Sequence, residues 1–211
     1  MSALFKNTVE PRIWQLLSNL MDMPELSNFA LVGGTNLSLR YGHRISTDLD
    51  LFCNEPFEKE EVIEAIYKKM PHTIKLGERK QTVWLMIDNI KVDMILYQYR
   101  YIKGIELIDN IRFLSIEDII PMKLEAMATR GVKKDFWDIA QLLNHFSLTQ
   151  MLDYYQFKYP QSDPGHVLRA MTYFVDAEPD ANPIDLQGIT WEQVKTTMQK
   201  TVNDYIKRQS K

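Results

Sequence analysis

Leu31-Val32-Gly33-Gly34-Thr35-Asn36-Leu37-Ser38-Leu39-Arg40-Tyr41-Gly42-His43-Arg44-Ile45-Ser46-Thr47-Asp48-Leu49-Asp50-Leu51-Phe52 is the stretch that decides the fold. The apolar run from Phe29 to Val32 reads as a buried strand that stops at two glycines. Glycine lets a backbone turn sharply and approach a ligand closely, and a helix starting after it offers free N–H groups and a positive dipole end. Asn36 to Tyr41 reads as that helix. Gly33, Gly34 and the Thr35 hydroxyl are therefore candidates to hold a phosphate. A second strand follows at Asp48–Phe52. Its period-2 alternation sends Asp48 and Asp50 to one face and Leu49 and Leu51 to the other. Two carboxylates so close repel unless a cation sits between them, and hard oxygen donors favour Mg²⁺. Taken alone, Gly-Gly also makes ordinary turns, and an isolated D-x-D also decorates solvated strands.

Outward from this stretch, residues 9–21 carry Ile13, Leu16, Leu17 and Leu20 at helical spacing, and residues 58–70 bring Val62, Ile66 and Met70 to one helix face. Val83–Ile87 and Lys91–Tyr97 read as strands of a hairpin turning at Asp88-Asn89. The second of these holds Asp93 among apolar residues, where aspartate is disfavoured. An acid pair plus a third acid on a neighbouring strand is what a two-metal phosphoryl-transfer site requires, the third acid drawing the proton from the attacking hydroxyl. From about residue 115 the character turns helical. Ser115-Ile116-Glu117-Asp118 resembles a capping box, Pro121 predicts a kink or a restarted helix, and Gly131 predicts its end. Further helices are expected over 134–146, 164–176 and from Thr190. A loop is expected over 178–183.

The fold class is thus α+β: a small mixed sheet with flanking helices over 1–115, then a C-terminal helical bundle over 116–211. The 211 residues have 45% hydrophobic and 25% charged side chains and a net charge of −3, which excludes wholesale disorder and a globally basic nucleic-acid binder. One cysteine excludes an internal disulfide and a multi-cysteine zinc site, and Cys53 itself reads as a buried small side chain. No apolar run approaches membrane-spanning length, and the N-terminus has no signal-peptide pattern, so a cytoplasmic protein without a membrane partner is expected.

The joint pattern Gly33-Gly34-Thr35, Asp48-x-Asp50 and Lys91-x-Asp93 resembles the nucleotidyltransferase superfamily that includes DNA polymerase beta. Residues 33–52 with His43-Arg44 and Ser46, together with the stretch 115–143 carrying Asp118, Lys123, Lys134-Asp135 and Asp138, are more narrowly similar to the AbiEii-type nucleotidyltransferase toxins of abortive-infection and type IV toxin–antitoxin systems. The resemblance implies the polymerase-beta type of sheet, NTP as substrate and two Mg²⁺ ions as cofactor. It implies Asp48, Asp50 and Asp93 as metal ligands, with Asp93 also the base. It implies Gly33, Gly34 and Thr35 on the β- and γ-phosphates, with Arg44 and Ser46 bracing the metal loop. Lys123 would reach the triphosphate. Asp135 and Asp138 share a helix face and would orient Lys123 or meet the acceptor; ordinary pairing with Lys133 or Lys134 is the alternative. The implied acceptor is RNA, in particular a tRNA 3′ end, and the implied partner is a cognate antitoxin. Two other readings stay open at this point: a nucleotide-binding module without turnover, and an antibiotic-modifying nucleotidyltransferase.

Overall fold

The structure, a computed structural model, describes residues 3–209. Met1 and Ser2, where the reading of the N-terminus begins, lie outside the described residues. The chain forms two compact units. One comprises the chain up to Arg40, then Ser46–Arg100 and Gly104–Ser115. The other comprises Tyr41–Ile45, Tyr101–Lys103 and everything from Ile116 onward, so two short pieces of the N-terminal half belong with the helices.

The first unit opens with α1 (Pro11–Met21), a proline-started helix whose stripe Ile13, Leu16, Leu17 and Leu20 is buried. Then come β1 (Ala30–Val32), α2 (Gly33–Tyr41), β2 (Leu49–Cys53), α3 (Lys59–Lys69), β3 (Ile74–Arg79), β4 (Thr82–Ile87), β5 (Ile90–Leu96), β6 (Ile105–Ile108) and β7 (Ile111–Leu114). The seven strands form one mixed sheet in the order β3-β4-β5-β2-β1-β7-β6. β2 runs antiparallel to β1 and parallel to β5. Leu49, Leu51, Val83, Leu85, Val92 and Met94 turn one sheet face into a core shared with α1 and with Val62 and Ile66 of α3. The period-2 rule then sends Asp50 and Asp93 to the opposite face. Arg112 of β7 donates to the carbonyls of Met21, Leu26 and Phe29 at 2.8–2.9 Å, pinning the connection that leads into β1.

The expected elements of this unit form with ends shifted by a few residues. The helix after the glycines begins at Gly33 itself, three residues before Asn36. The β4–β5 hairpin turns at Asp88-Asn89, both with positive φ (50° and 62°), the signature of a type I′ turn. β3, β6 and β7 add to the strands read from the sequence.

The second unit contains α4 (Ile116–Arg130), α5 (Lys133–Leu142), α6 (Leu148–Lys158), α7 (Pro164–Ala170) and α8 (Trp191–Gln209). α4 runs through Pro121 as one continuous helix, so no restart occurs. The proline forgoes one backbone bond, but its ring is buried with Ile119, Ile120 and Leu124. Gly131 (φ 57°) ends α4, its N–H returning to the Met127 carbonyl at 3.0 Å. α7 stops at Ala170, short of the expected 176. The N–H of Thr172 bonds the Arg169 carbonyl and that of Tyr173 the Ala170 carbonyl, which tightens the chain out of α-helix. The fully buried Asp118 accepts from the backbone N–H groups of Ile102 and Lys103 (2.8 and 2.9 Å) and from buried Lys158 (2.7 Å). No helix among the described residues is long and apolar enough to cross a membrane.

Candidate active site

β1 ends at Val32, which pairs with Asp50, and Asp50 pairs with Asp93 across the parallel β2–β5 ladder. Trp84 pairs with Asp93 on the next strand. One row across the sheet thus reads Val32, Asp50, Asp93, Trp84, and residues directly opposite share a face. Two half-buried carboxylates therefore lie side by side beside the glycine turn.

Gly33 is what permits this proximity. Its φ of +71° is one that L side chains rarely adopt, and a Cβ there would collide with the Asp50 carboxylate. Gly33→Ala should therefore displace Asp50. A shift on the ångström scale costs about 100-fold in rate, and the left-handed backbone costs about 1–2 kcal/mol of stability. Activity assays paired with chemical denaturation will read both.

Asp48 precedes β2. Its carbonyl accepts from the Thr35 hydroxyl, which also lies 2.8 Å from Ser46 Oγ. A hydroxyl carries one proton, so Ser46 donates to Thr35 and Thr35 to Asp48. Both buried hydroxyls thereby fasten the loop that carries Asp48, and in this arrangement the Thr35 proton is committed to that loop.

A cation at this face is Lys91, two residues before Asp93 on β5. Its Nζ lies 2.8 Å from Asp93 Oδ2. Desolvation pulls its pKa down, but the hydrogen bond to Asp93 and the charges of Asp93, Asp50 and Asp48 outweigh that and hold it above the ordinary lysine value. All three aspartates thus act on one ammonium. The other Asp93 oxygen, Oδ1, is buried and makes no hydrogen bond. Among the described residues no three His, Cys, Asp or Glu side chains are grouped closely enough to hold a metal ion as they stand. The donor chemistry nevertheless fits a divalent cation: two hard carboxylates stand adjacent in register.

The second unit gathers the other motif residues. Asp138 is fully buried. Arg44 reaches it through two bonds, Nε to Oδ1 at 2.7 Å and Nη2 to Oδ2 at 2.9 Å. His43 Nε2 lies 2.8 Å from the same Oδ1 and Lys123 Nζ 2.7 Å from Oδ2. Lys123 also lies 3.3 Å from Asp135, which Arg130 clasps at 2.7 and 2.8 Å. Burial alone would raise both carboxyls. The charges of Arg44 and Lys123, with the hydrogen bonds from His43 and Arg44, hold Asp138 well below the usual range. Lys123 and Arg130 hold Asp135 below it, against the charge of Asp138. Lys123 is thus a buried member of an ion network with Asp135 and Asp138. Lys133 goes elsewhere, to the carbonyls of Glu178 and Asp180 at 3.2 and 2.8 Å. Cys53 is buried, and desolvation pushes its thiol up to about 12, which removes it as a nucleophile.

The family model for the nucleotidyl transferase AbiEii toxin of type IV toxin–antitoxin systems matches residues 15–107 and 98–204. The chain belongs to the AbiEii family. This AbiEii protein is accordingly a nucleotidyltransferase. It is 29% identical over 198 residues to aq_aa25, an uncharacterized protein of Aquifex aeolicus, covering 91% of this chain and 95% of that one. Its fold is similar to that of JHP933 from Helicobacter pylori, with a TM-score of 0.58 and 21% identity over 94% of this chain and 91% of that one. It is also similar to MenT4, a nucleotidyltransferase toxin of Mycobacterium tuberculosis, with a TM-score of 0.54 and 12% identity over 89% and 82% of the two chains.

One residue the sequence did not single out also supports the AbiEii site. Buried Asn36 donates to the carbonyls of Leu31 and Leu114 at 2.7 and 2.9 Å, locking α2 to the sheet directly after the glycine turn. An amide at the start of a helix that leaves a strand was its only signal.

Proposed function

We propose that this AbiEii protein is the toxin of a type IV toxin–antitoxin pair and transfers a nucleoside monophosphate from an NTP to an RNA hydroxyl, with a tRNA 3′ end as the acceptor. The reading assigns Mg²⁺ as cofactor, held by Asp48, Asp50 and Asp93. The observation that carries it is the register that sets Asp50 against Asp93 beside a glycine turn where any Cβ would meet the Asp50 carboxylate.

When bound, a Mg²⁺ pair supplies Lewis-acid stabilisation of the attacking and leaving oxygens. The chain's own residues supply the rest. Gly33 and Gly34, at the start of α2, direct backbone N–H groups to the triphosphate. Thr35 and Ser46 keep the Asp48 loop in register with that turn. Asp93, with its spare buried oxygen, takes the proton of the acceptor hydroxyl as it attacks the α-phosphorus and pyrophosphate leaves.

The test is direct. The protein is incubated with each labelled NTP, Mg²⁺ and total RNA, beside Asp50→Ala. Label on small RNA from the wild type alone supports the reading. Equal labelling by both proteins ends it. Label on protein rather than RNA corrects the acceptor. Growth arrest on induced expression, relieved by Asp93→Ala, tests the toxin role.

A further inference from the structure

The proposed acid site already holds a positive charge of its own. We infer that Lys91 is a resident counter-cation that keeps the metal-free acids together and must swing away from Asp93 when a divalent ion binds. This inference rests on the reading of Asp48, Asp50 and Asp93 as metal ligands.

Three observations carry it. First, the Lys91 ammonium is 2.8 Å from Asp93 Oδ2, so it sits on a carboxylate oxygen that a divalent ion would use. Asp50 and Asp93 are direct register partners, and like charges set opposite on a sheet repel. A cation beside them offsets that repulsion. Second, the pair is weak enough to yield. The Lys91 side chain is 46% exposed, although that of Asp93 is only 13%, so water screens the pair from the lysine end and lowers its worth. A divalent ion on the same oxygens carries twice the charge and outcompetes it. Third, the displaced side chain has somewhere to go. Lys91 and Asp48 both line a cavity of about 340 Å³, together with Arg12, Thr47 and Asn89 and the apolar Ile90. An ammonium released into that space stays near the reacting groups, where an anion can meet it.

The exchange is a charge swap with no covalent step. It makes metal binding dependent on the loss of one specific contact, and so sets a threshold for loading the site.

Two measurements test it on the whole 211-residue chain. Mn²⁺ titration followed by electron paramagnetic resonance, without nucleotide, should give Lys91→Met an affinity about three- to five-fold tighter than wild type, the worth of one half-exposed ion pair. Lys59→Met, which removes the same charge from elsewhere in the unit, should leave the affinity unchanged. In parallel, acylation of lysines by an amine-reactive ester, read by peptide mass spectrometry, should label Lys91 faster once Mg²⁺ is added. Unchanged Lys91 labelling at saturating Mg²⁺, or equal Mn²⁺ affinity in wild type and Lys91→Met, overturns the inference. Asp50→Asn separates the two layers. If it abolishes Mn²⁺ binding while Lys91→Met changes nothing, only the role of Lys91 fails. If Asp50→Asn binds Mn²⁺ as wild type does, the acid site itself fails.

Discussion

Asp50→Asn is expected to lower nucleotidyl transfer by at least about 10³-fold, because a metal clamp on a transferring phosphoryl group is worth several kcal/mol. Asp50 lies directly against Asp93 in the β2–β5 register, where a bound ion would bridge them. Asp93→Asn should lose as much activity, and it also leaves Lys91 without its hydrogen-bonded carboxylate. Initial rates of labelled NMP incorporation check both. Retention by Asp50→Asn of more than a tenth of the wild-type rate would remove Asp50 from the catalytic set.

The ion network of the second unit should respond in stability instead. Asp138→Asn keeps the shape but turns one acceptor oxygen into a donor, facing the donors of Arg44, Lys123 and His43. Removing one member of a buried charge cluster costs about 3–5 kcal/mol, since the remaining cations stay buried without compensation. For a chain of this size that lowers the melting midpoint by roughly 10 °C. The pH dependence has a definite sign. Asp138 and Asp135 titrate below their unfolded values, so their contribution is fully present above the ordinary carboxylate range near pH 4. It is lost as pH falls through and below that range. Chemical denaturation between pH 3 and 6 should show wild-type stability dropping steeply on the acid side and a shallower drop in Asp138→Asn. Equal acid limbs would mean that Asp138 is not held ionised by its neighbours.

Much of this was legible in the sequence because local chemistry dictated it. Alternation at Asp48–Phe52 shows in the burial of Leu49 and Leu51 against half-buried Asp50. The capping box at Thr190 forms, with Gln193 returning to the Thr190 N–H at 2.8 Å. Other elements lacked a periodic signal. β3 is an exposed edge strand with Ile74 and Leu76 both outward, so it reads as loop. The β6–β7 hairpin was missed although Asp109-Asn110 repeats the Asp-Asn turn at 88–89, with the same positive φ values. α6 carried both signals, a complete Ser147–Gln150 capping box and Leu148, Met151, Leu152 and Tyr155 at helical spacing, and so was legible. The acid types were readable, but the register between Asp50 and Asp93 was not, because strand order depends on packing forty residues apart. His43 and Arg44 lie in the same motif as the D-x-D, yet their partner is Asp138, a pairing of the second unit that only tertiary structure supplies.

That pairing also has a consequence for synthesis on the ribosome. His43 leaves the exit tunnel 95 residues ahead of Asp138. At about 5–20 residues per second, that is a wait of roughly 5–20 s during which the His43 imidazole and the Arg44 guanidinium lack Asp138. The nascent AbiEii chain therefore cannot finish its helical half until translation is well past its middle. Drugs or codon changes that stall elongation between these codons should prolong the protease-sensitive lifetime of the segment around Arg44.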